Sequence, residues 1–126
     1  MERKYLIDTN SIIDYLDNRL PDDGANLLND IQINISVITR MELLAWPNST
    51  PNQLKILEDF IKQSTIFNLE ESIIIKGIEF RRQYRIKLPD AIIAATAHVF
   101  NFTLLTRNIS DFKNIPGLDL RNPWEL

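Results

Sequence analysis

Lys4-Tyr5-Leu6-Ile7-Asp8-Thr9-Asn10 decides how this chain is read. Tyr5, Leu6 and Ile7 form a short apolar run without alternation, the pattern of a central strand buried on both faces. The run stops at a carboxylate, and Ile12, Ile13, Leu16 and Leu20 then recur at helical spacing as far as Pro21. Asp8 is therefore expected at the C-terminal end of a strand, the edge of an open α/β sheet where ligands bind.

The same alternation of strand and helix continues outward. Pro21-Asp22-Asp23-Gly24 has the composition of a turn, followed by a short helix carrying Ala25, Leu27, Leu28 and Ile31. Residues 33–37 alternate as a second strand, and Thr39 is expected to open a helix through Leu43, Leu44 and Trp46. Thr50-Pro51-Asn52-Gln53 carries a complete helix-start signal: a capping threonine, proline at the first position and glutamine three residues after the cap. Its apolar stripe is Leu54, Leu57, Phe60 and Ile61. Residues 64–69 suit a short strand. A helix over 70–84 is expected to bury Ile73, Ile74, Ile78 and Phe80, weakened by Gly77. A helix over 89–100, a strand over 103–106 and an edge strand over 118–120 complete the pattern. Strands alternating with helices imply an α/β fold: one domain over 1–126, a parallel β-sheet sandwiched between α-helices with right-handed crossovers.

Composition narrows the function. With 126 residues, 44% hydrophobic and 25% charged, the chain is expected to fold as a globular domain that buries roughly two-thirds of its unfolded surface. The absence of cysteine excludes disulfides and thiolate metal sites, and one histidine, His98, argues against a histidine-built zinc centre. No apolar run approaches the roughly 18 residues of a membrane span, and Asp8 arrives too early for a signal-peptide core. A cytoplasmic protein without membrane partners is expected. The net charge of −3 argues against a basic nucleic-acid-coating protein, but not against a nuclease with an acidic pocket.

Four acids stand out: Asp8, Glu42, Asp90 and Asp111. Each has an ordinary structural explanation. Glu42 follows Thr39 by three residues, as in a capping box; Asp90 belongs to a first helical turn; Asp111 follows Asn108 by three; Asp8 is placed to cap a helix. Asp8, Glu42 and Asp111, however, each follow an expected strand, and Asp90 opens the helix leading to another. Since all strand-to-helix junctions of a parallel sheet share one edge, the four acids are expected to converge. Two unit charges about 4 Å apart repel by about 4 kcal/mol at an effective dielectric near 20, against about 0.3–1 kcal/mol offset by each helix N-terminus. A cation or a proton must make up the difference. Oxygen donors without thiolate or imidazole select a hard divalent ion, Mg2+ or Mn2+.

Four stretches carry a resemblance. They are 6–11 (Leu-Ile-Asp-Thr-Asn-Ser), 35–39 with Glu42-Leu43-Leu44, 88–97 (Leu-Pro-Asp-Ala-Ile-Ile-Ala-Ala-Thr-Ala), and 105–108 with Asp111-Phe112 and 115–118. In this order the chain resembles the PIN-domain nucleases, and among them the VapC-type toxins of bacterial toxin–antitoxin modules. The resemblance implies that Asp8, Glu42, Asp90 and Asp111 are catalytic acids that bind Mg2+ or Mn2+, with Asn10 and Thr106 as polar supports. It also implies endoribonucleolytic hydrolysis of tRNA or rRNA by metal-activated water, a homodimer, and a cognate antitoxin that silences the enzyme. Trp46-Pro47 departs from relatives, which often carry a small residue there; this concerns the loop after Glu42.

Other residues have two readings. Arg81, Arg82, Arg85 and Lys87 cluster around Tyr84 as candidate RNA-backbone contacts or as a solvated helix face. Arg40 and Arg107 flank acids and either stabilise phosphate charge or pair with the acids structurally; the pairing is the expectation, with Arg107 kept among the candidate RNA-binding residues. Asp14, one turn beyond Asn10, either supports the site from behind its ligands or lies on a solvated face, the latter being the expectation; His98 is expected in a core or interface. Two other functions compete: a catalytically inactive PIN-like module that binds RNA or protein, and a phosphatase or phospho-acceptor using Asp8 as nucleophile. All four acidic positions are filled, which disfavours the first. The second lacks both an acid beside Asp8 and a lysine late in the sheet.

Overall fold

A computed structural model describes residues 3–126. In chain order it comprises β1 (Tyr5–Ile7), α1 (Thr9–Leu16), α2 (Asp22–Asp30), β2 (Asn34–Ser36), α3 (Val37–Leu44), α4 (Pro51–Lys62), β3 (Thr65–Phe67), α5 (Glu71–Gln83), α6 (Leu88–Val99), β4 (Thr103–Leu105), α7 (Ile109–Phe112) and β5 (Leu120–Arg121). The sheet order is β3-β2-β1-β4-β5 and every pairing is parallel. The chain winds one way from β1 to β3 and the other way through β4 and β5. That reversal leaves a crevice beyond the C-terminal ends of β1 and β4. The register Ile7↔Leu105 sets Asp8 beside Thr106 there, with the Asp8 amide donating to the Leu105 carbonyl at 2.9 Å.

The apolar run of β1 serves both faces. Leu6 and Leu104 join Ile73, Phe80, Ile93 and Phe112 from α5, α6 and α7. Tyr5, Ile7 and Leu105 join Ile12, Leu28, Leu43 and Leu57 from α1 to α4. Leu6, Ile7, Leu104 and Leu105 are fully buried, so truncating any of them to alanine costs about 2–5 kcal/mol.

Several local expectations are corrected. The first helix stops at Leu16, short of Leu20, because Asn18 turns into the left-handed region at φ 58°. Pro21 to Gly24 begin α2 instead of forming a free turn; Asp22 and Asp23 occupy its first turn, where the helix dipole favours acids. β2 does not alternate in exposure. Asn34, Ile35 and Ser36 are all buried, and Asn34 Nδ2 donates to the Tyr5 carbonyl at 2.9 Å. The helix carrying Glu42 opens at Val37, capped by Ser36 Oγ, which accepts from the Ile38 amide at 3.1 Å. Thr39 therefore lies inside the helix, and the expected Thr39–Glu42 capping box does not form. The Thr50–Gln53 box forms in both directions, at 3.1 and 2.9 Å. On α5 the buried stripe is Ile73, Gly77 and Phe80, whereas Ile74, Ile75 and Ile78 are exposed. Gly77 faces Ala91 and Ala95 of α6, so small residues decide which side of α5 turns inward.

Candidate active site

Asp8 leaves β1 at the crevice with both carboxylate oxygens already engaged. The Thr9 amide donates to Oδ1 at 2.8 Å; Thr106 Oγ1 and Asn10 Nδ2 donate to Oδ2 at 2.8 and 3.2 Å. Asp8 is only 6% exposed. Burial raises its pKa above the usual aspartate value and Glu42 adds to the rise, while the three hydrogen bonds oppose it.

The supports are themselves held. Thr106 Oγ1 accepts from the Asn108 amide at 3.0 Å, and Asn10 Oδ1 accepts from the Arg107 amide at 3.1 Å. Asn10 and Thr106 thus orient the Asp8 carboxylate and tie the end of β1 to the loop after β4. Glu42, in the second turn of α3, accepts from Thr9 Oγ1 at 2.7 Å. The Thr39 hydroxyl lies 3.2 Å from that of Thr9. Thr9 has one hydroxyl proton, so it donates to Glu42 and accepts from Thr39. This chain of Thr39, Thr9 and Glu42 was not legible in the sequence, because its hydroxyls belong to helices 30 residues apart.

Asp90 sits in the first turn of α6, half-buried. Its pKa is pushed up to about 6, first by burial and then by the charges of Asp8, Asp111 and Glu42, with Lys87 pulling the other way. Asp90 therefore feels the charges of the three other acids. They do not all line the same hollow. Asp8, Glu42 and Asp90 line a cleft of about 540 Å³ that also takes in Asp14, Arg107 and Trp46. Asp111 shares with Asp90 an adjoining hollow ringed by Arg81, Arg85 and Lys87. Arg82 lies apart, beside an apolar groove of Leu69, Ile74, Ile78 and Leu88.

Among the described residues, no three His, Asp or Glu side chains close on one point as a ready-made ligand set. The donors nevertheless suit a hard cation. They are carboxylates at the convergent edge, and Mg2+ keeps several waters and needs only one or two direct carboxylates. The nearby guanidinium of Arg107 is engaged elsewhere: its Nη1 lies 3.1 and 3.0 Å from the two oxygens of Asp14. Arg107 thus pairs with an acid as expected, but its partner is Asp14. Asp14 is 1% exposed, which overturns the expectation of a solvated face. Trp124 Nε1 donates to the same carboxylate at 2.9 Å. His98 is exposed at the end of α6, edge-on to Phe80, and is not a core residue.

Residues 5–118 match the PIN domain family. The chain belongs to the PIN-domain family. Ribonuclease VapC1 of Methanocaldococcus jannaschii is 31% identical over 126 residues, covering 95% of this PIN-domain chain and 87% of the relative. A toxin–antitoxin complex from Klebsiella pneumoniae contains a chain that superposes with a TM-score of 0.80 at 33% identity, covering 98% of this chain and 100% of that one. VapBC2 from Rickettsia felis, bound to a DNA fragment from its promoter, gives 0.79 at 28% identity, covering 94% and 97%. The resemblance read from the four sequence stretches is thereby established, and with it the all-parallel α/β architecture of a PIN domain.

Proposed function

We propose that this PIN domain is a Mg2+- or Mn2+-dependent endoribonuclease, the toxin of a toxin–antitoxin pair, that hydrolyses phosphodiester bonds of tRNA or rRNA in the cytoplasm. The observation that carries the reading is the lining of one cleft by Asp8, Glu42 and Asp90 at the switch point of the sheet, with Asp111 close enough to raise the pKa of Asp90. Paired carboxylates in such a position favour a divalent cation and disfavour a bare polyanion. Asp8, Asp90 and Glu42 would hold the ion, with Asp111 completing its surroundings. When bound, such an ion lowers the pKa of water and offsets the charge that develops at the phosphate.

The chain's own residues have separate tasks. Thr9, Asn10 and Thr106 fix the carboxylates, so little reorganisation is needed when RNA arrives. Arg81, Arg85 and Lys87 ring the hollow next to Asp90 and supply positive potential for the RNA backbone. Arg82, placed by the apolar groove, is the weakest of the four basic candidates. Among the described residues, apolar side chains stay exposed along the groove of α5 and α6 and at Met41, Leu44, Trp46 and Ile56, of which Trp46 and Ile56 line the cleft. Exposed apolar side chains grouped in this way suit protein contacts, and a second copy of the chain and an antitoxin segment are the proposed occupants. The complexes in which the structural relatives occur support an antitoxin partner. Among the described residues, no helix is long and apolar enough to cross a membrane.

The test is cleavage of end-labelled tRNA and rRNA in Mn2+ by the wild type, Asp8→Asn and Asp90→Asn, with circular dichroism on each. Loss of cleavage with an intact fold is expected, and sequencing of the new RNA ends names the target. Undiminished cleavage by both variants refutes the assignment.

A further inference from the structure

Asp14 is the buried carboxyl group that the site described so far leaves without a task. It accepts from Arg107 Nη1 and Trp124 Nε1, so its lone pairs are well served. Trp124 belongs to a short turn, its amide donating to Asn122 Oδ1 at 3.0 Å and the Glu125 amide to the Asn122 carbonyl at 3.0 Å. Pro123, just before it, is buried against α2 so tightly that a Cβ on Gly24 would clash with the Pro123 carbonyl oxygen. The segment after β5 is thus seated firmly and delivers an indole N–H to Asp14.

The guanidinium held this way is about half exposed and lines the acidic cleft. Its backbone is pinned as well, through Asn10 Oδ1. Only Nη1 is spent on Asp14; among the described residues, Nε and Nη2 have no protein acceptor. Burying an ion pair gains little stability over a well-packed apolar pair. What it does gain here is a planar donor fixed beside the cleft. An unanchored arginine in that place would fall onto the neighbouring carboxylates.

We propose that Asp14 and Trp124 are positioning residues that hold Arg107 as a phosphate-binding arm at the cleft mouth, its free donors taking a non-bridging oxygen of the RNA backbone. The segment after β5 thereby becomes part of substrate binding. The proposal rests on the nuclease reading for the identity of the ligand, and its test is one of binding.

The probe is fluorescently labelled bulk tRNA, titrated by anisotropy in Ca2+ at several salt concentrations. Arg107→Ala is expected to weaken binding about tenfold and to flatten the log–log salt slope by about 0.7–0.9, the loss of one phosphate contact. Trp124→Phe, which keeps the ring and the net charge, is expected to weaken binding about threefold in the wild-type background and not at all in Arg107→Ala. Melting curves accompany each variant. If Trp124→Phe does not fold, Asp14→Asn replaces it in the same cycle, where the Arg107→Ala background subtracts the effect of the lost charge. Equal effects of Trp124→Phe in both backgrounds, an unchanged salt slope in Arg107→Ala, or no tRNA binding by the wild type would each overturn the proposal. A wild type that binds tRNA with the predicted coupling but leaves it intact in Mn2+ overturns the nuclease reading instead.

Discussion

Replacing Asp90 with asparagine should make the metal-free protein more stable, and the gain should depend on pH. The Asp90 carboxyl is raised from 3.8 to about 6 by burial and by Asp8, Asp111 and Glu42. Two units at about 1.4 kcal/mol each amount to about 3 kcal/mol of strain in the charged form. The group is half-exposed, so solvent screening reduces this to roughly 1–1.5 kcal/mol. Among the described residues no hydrogen bond holds its side chain, so asparagine gives up nothing specific. A raised carboxyl pKa means that the folded state keeps a proton the unfolded chain has lost. Wild-type stability therefore falls as pH rises from about 4 to about 6 and levels off above that. Asp90→Asn lacks this component. In EDTA at pH 8 it should melt roughly 3–6 °C above the wild type, and the difference should vanish near pH 4. Mn2+ at ten times its dissociation constant would stabilise the wild type by about 1.4 kcal/mol and close the gap. An Asp90→Asn variant no more stable than the wild type at pH 8 in EDTA, or one whose gain is the same at every pH, would refute the electrostatic reasoning.

Thr106→Val removes a donor to Asp8 and the acceptor of the Asn108 amide. It should cost about 1–3 kcal/mol and move the acid limb of the cleavage profile to higher pH, because Asp8 would be harder to ionise; a pH–rate profile checks this. Gly24→Ala, normally worth up to about 1 kcal/mol in a helix, should destabilise here, because the added carbon meets the Pro123 backbone; urea unfolding reads the sign. Thr50→Ala breaks both halves of the capping box and should cost about 0.5–2 kcal/mol without changing RNA cleavage per folded molecule.

The parts of the fold legible beforehand were those governed by local rules. The unalternating Tyr5-Leu6-Ile7 run marked the central strand, and Thr50-Pro51 marked a helix start in full. Asp8 and Glu42 share one cleft because a parallel sheet gathers its strand-to-helix junctions, a property of topology that residue order reveals; Asp90 reaches it from the start of α6, which follows α5 and not a strand. The rest needed packing. Whether Ser36 or Thr39 capped α3 depended on where β2 ended, and Ile74 and Ile78 lost the inner face of α5 to Gly77 because α6 offers alanines there. Asp14 stood one helical turn beyond Asn10, which hinted at a supporting role, but its burial was hidden because its partners lie 93 and 110 residues away.

Paramagnetic broadening by Mn2+ in a two-dimensional amide spectrum tests the central claim most directly. A substoichiometric addition should erase the signals of Thr9, Asn10, Leu43, Ala91 and Arg107 together, since one ion held among Asp8, Glu42 and Asp90 is near them all. Signals that fade evenly across the chain, or first around acids remote from the cleft such as Asp22 and Asp59, would contradict it.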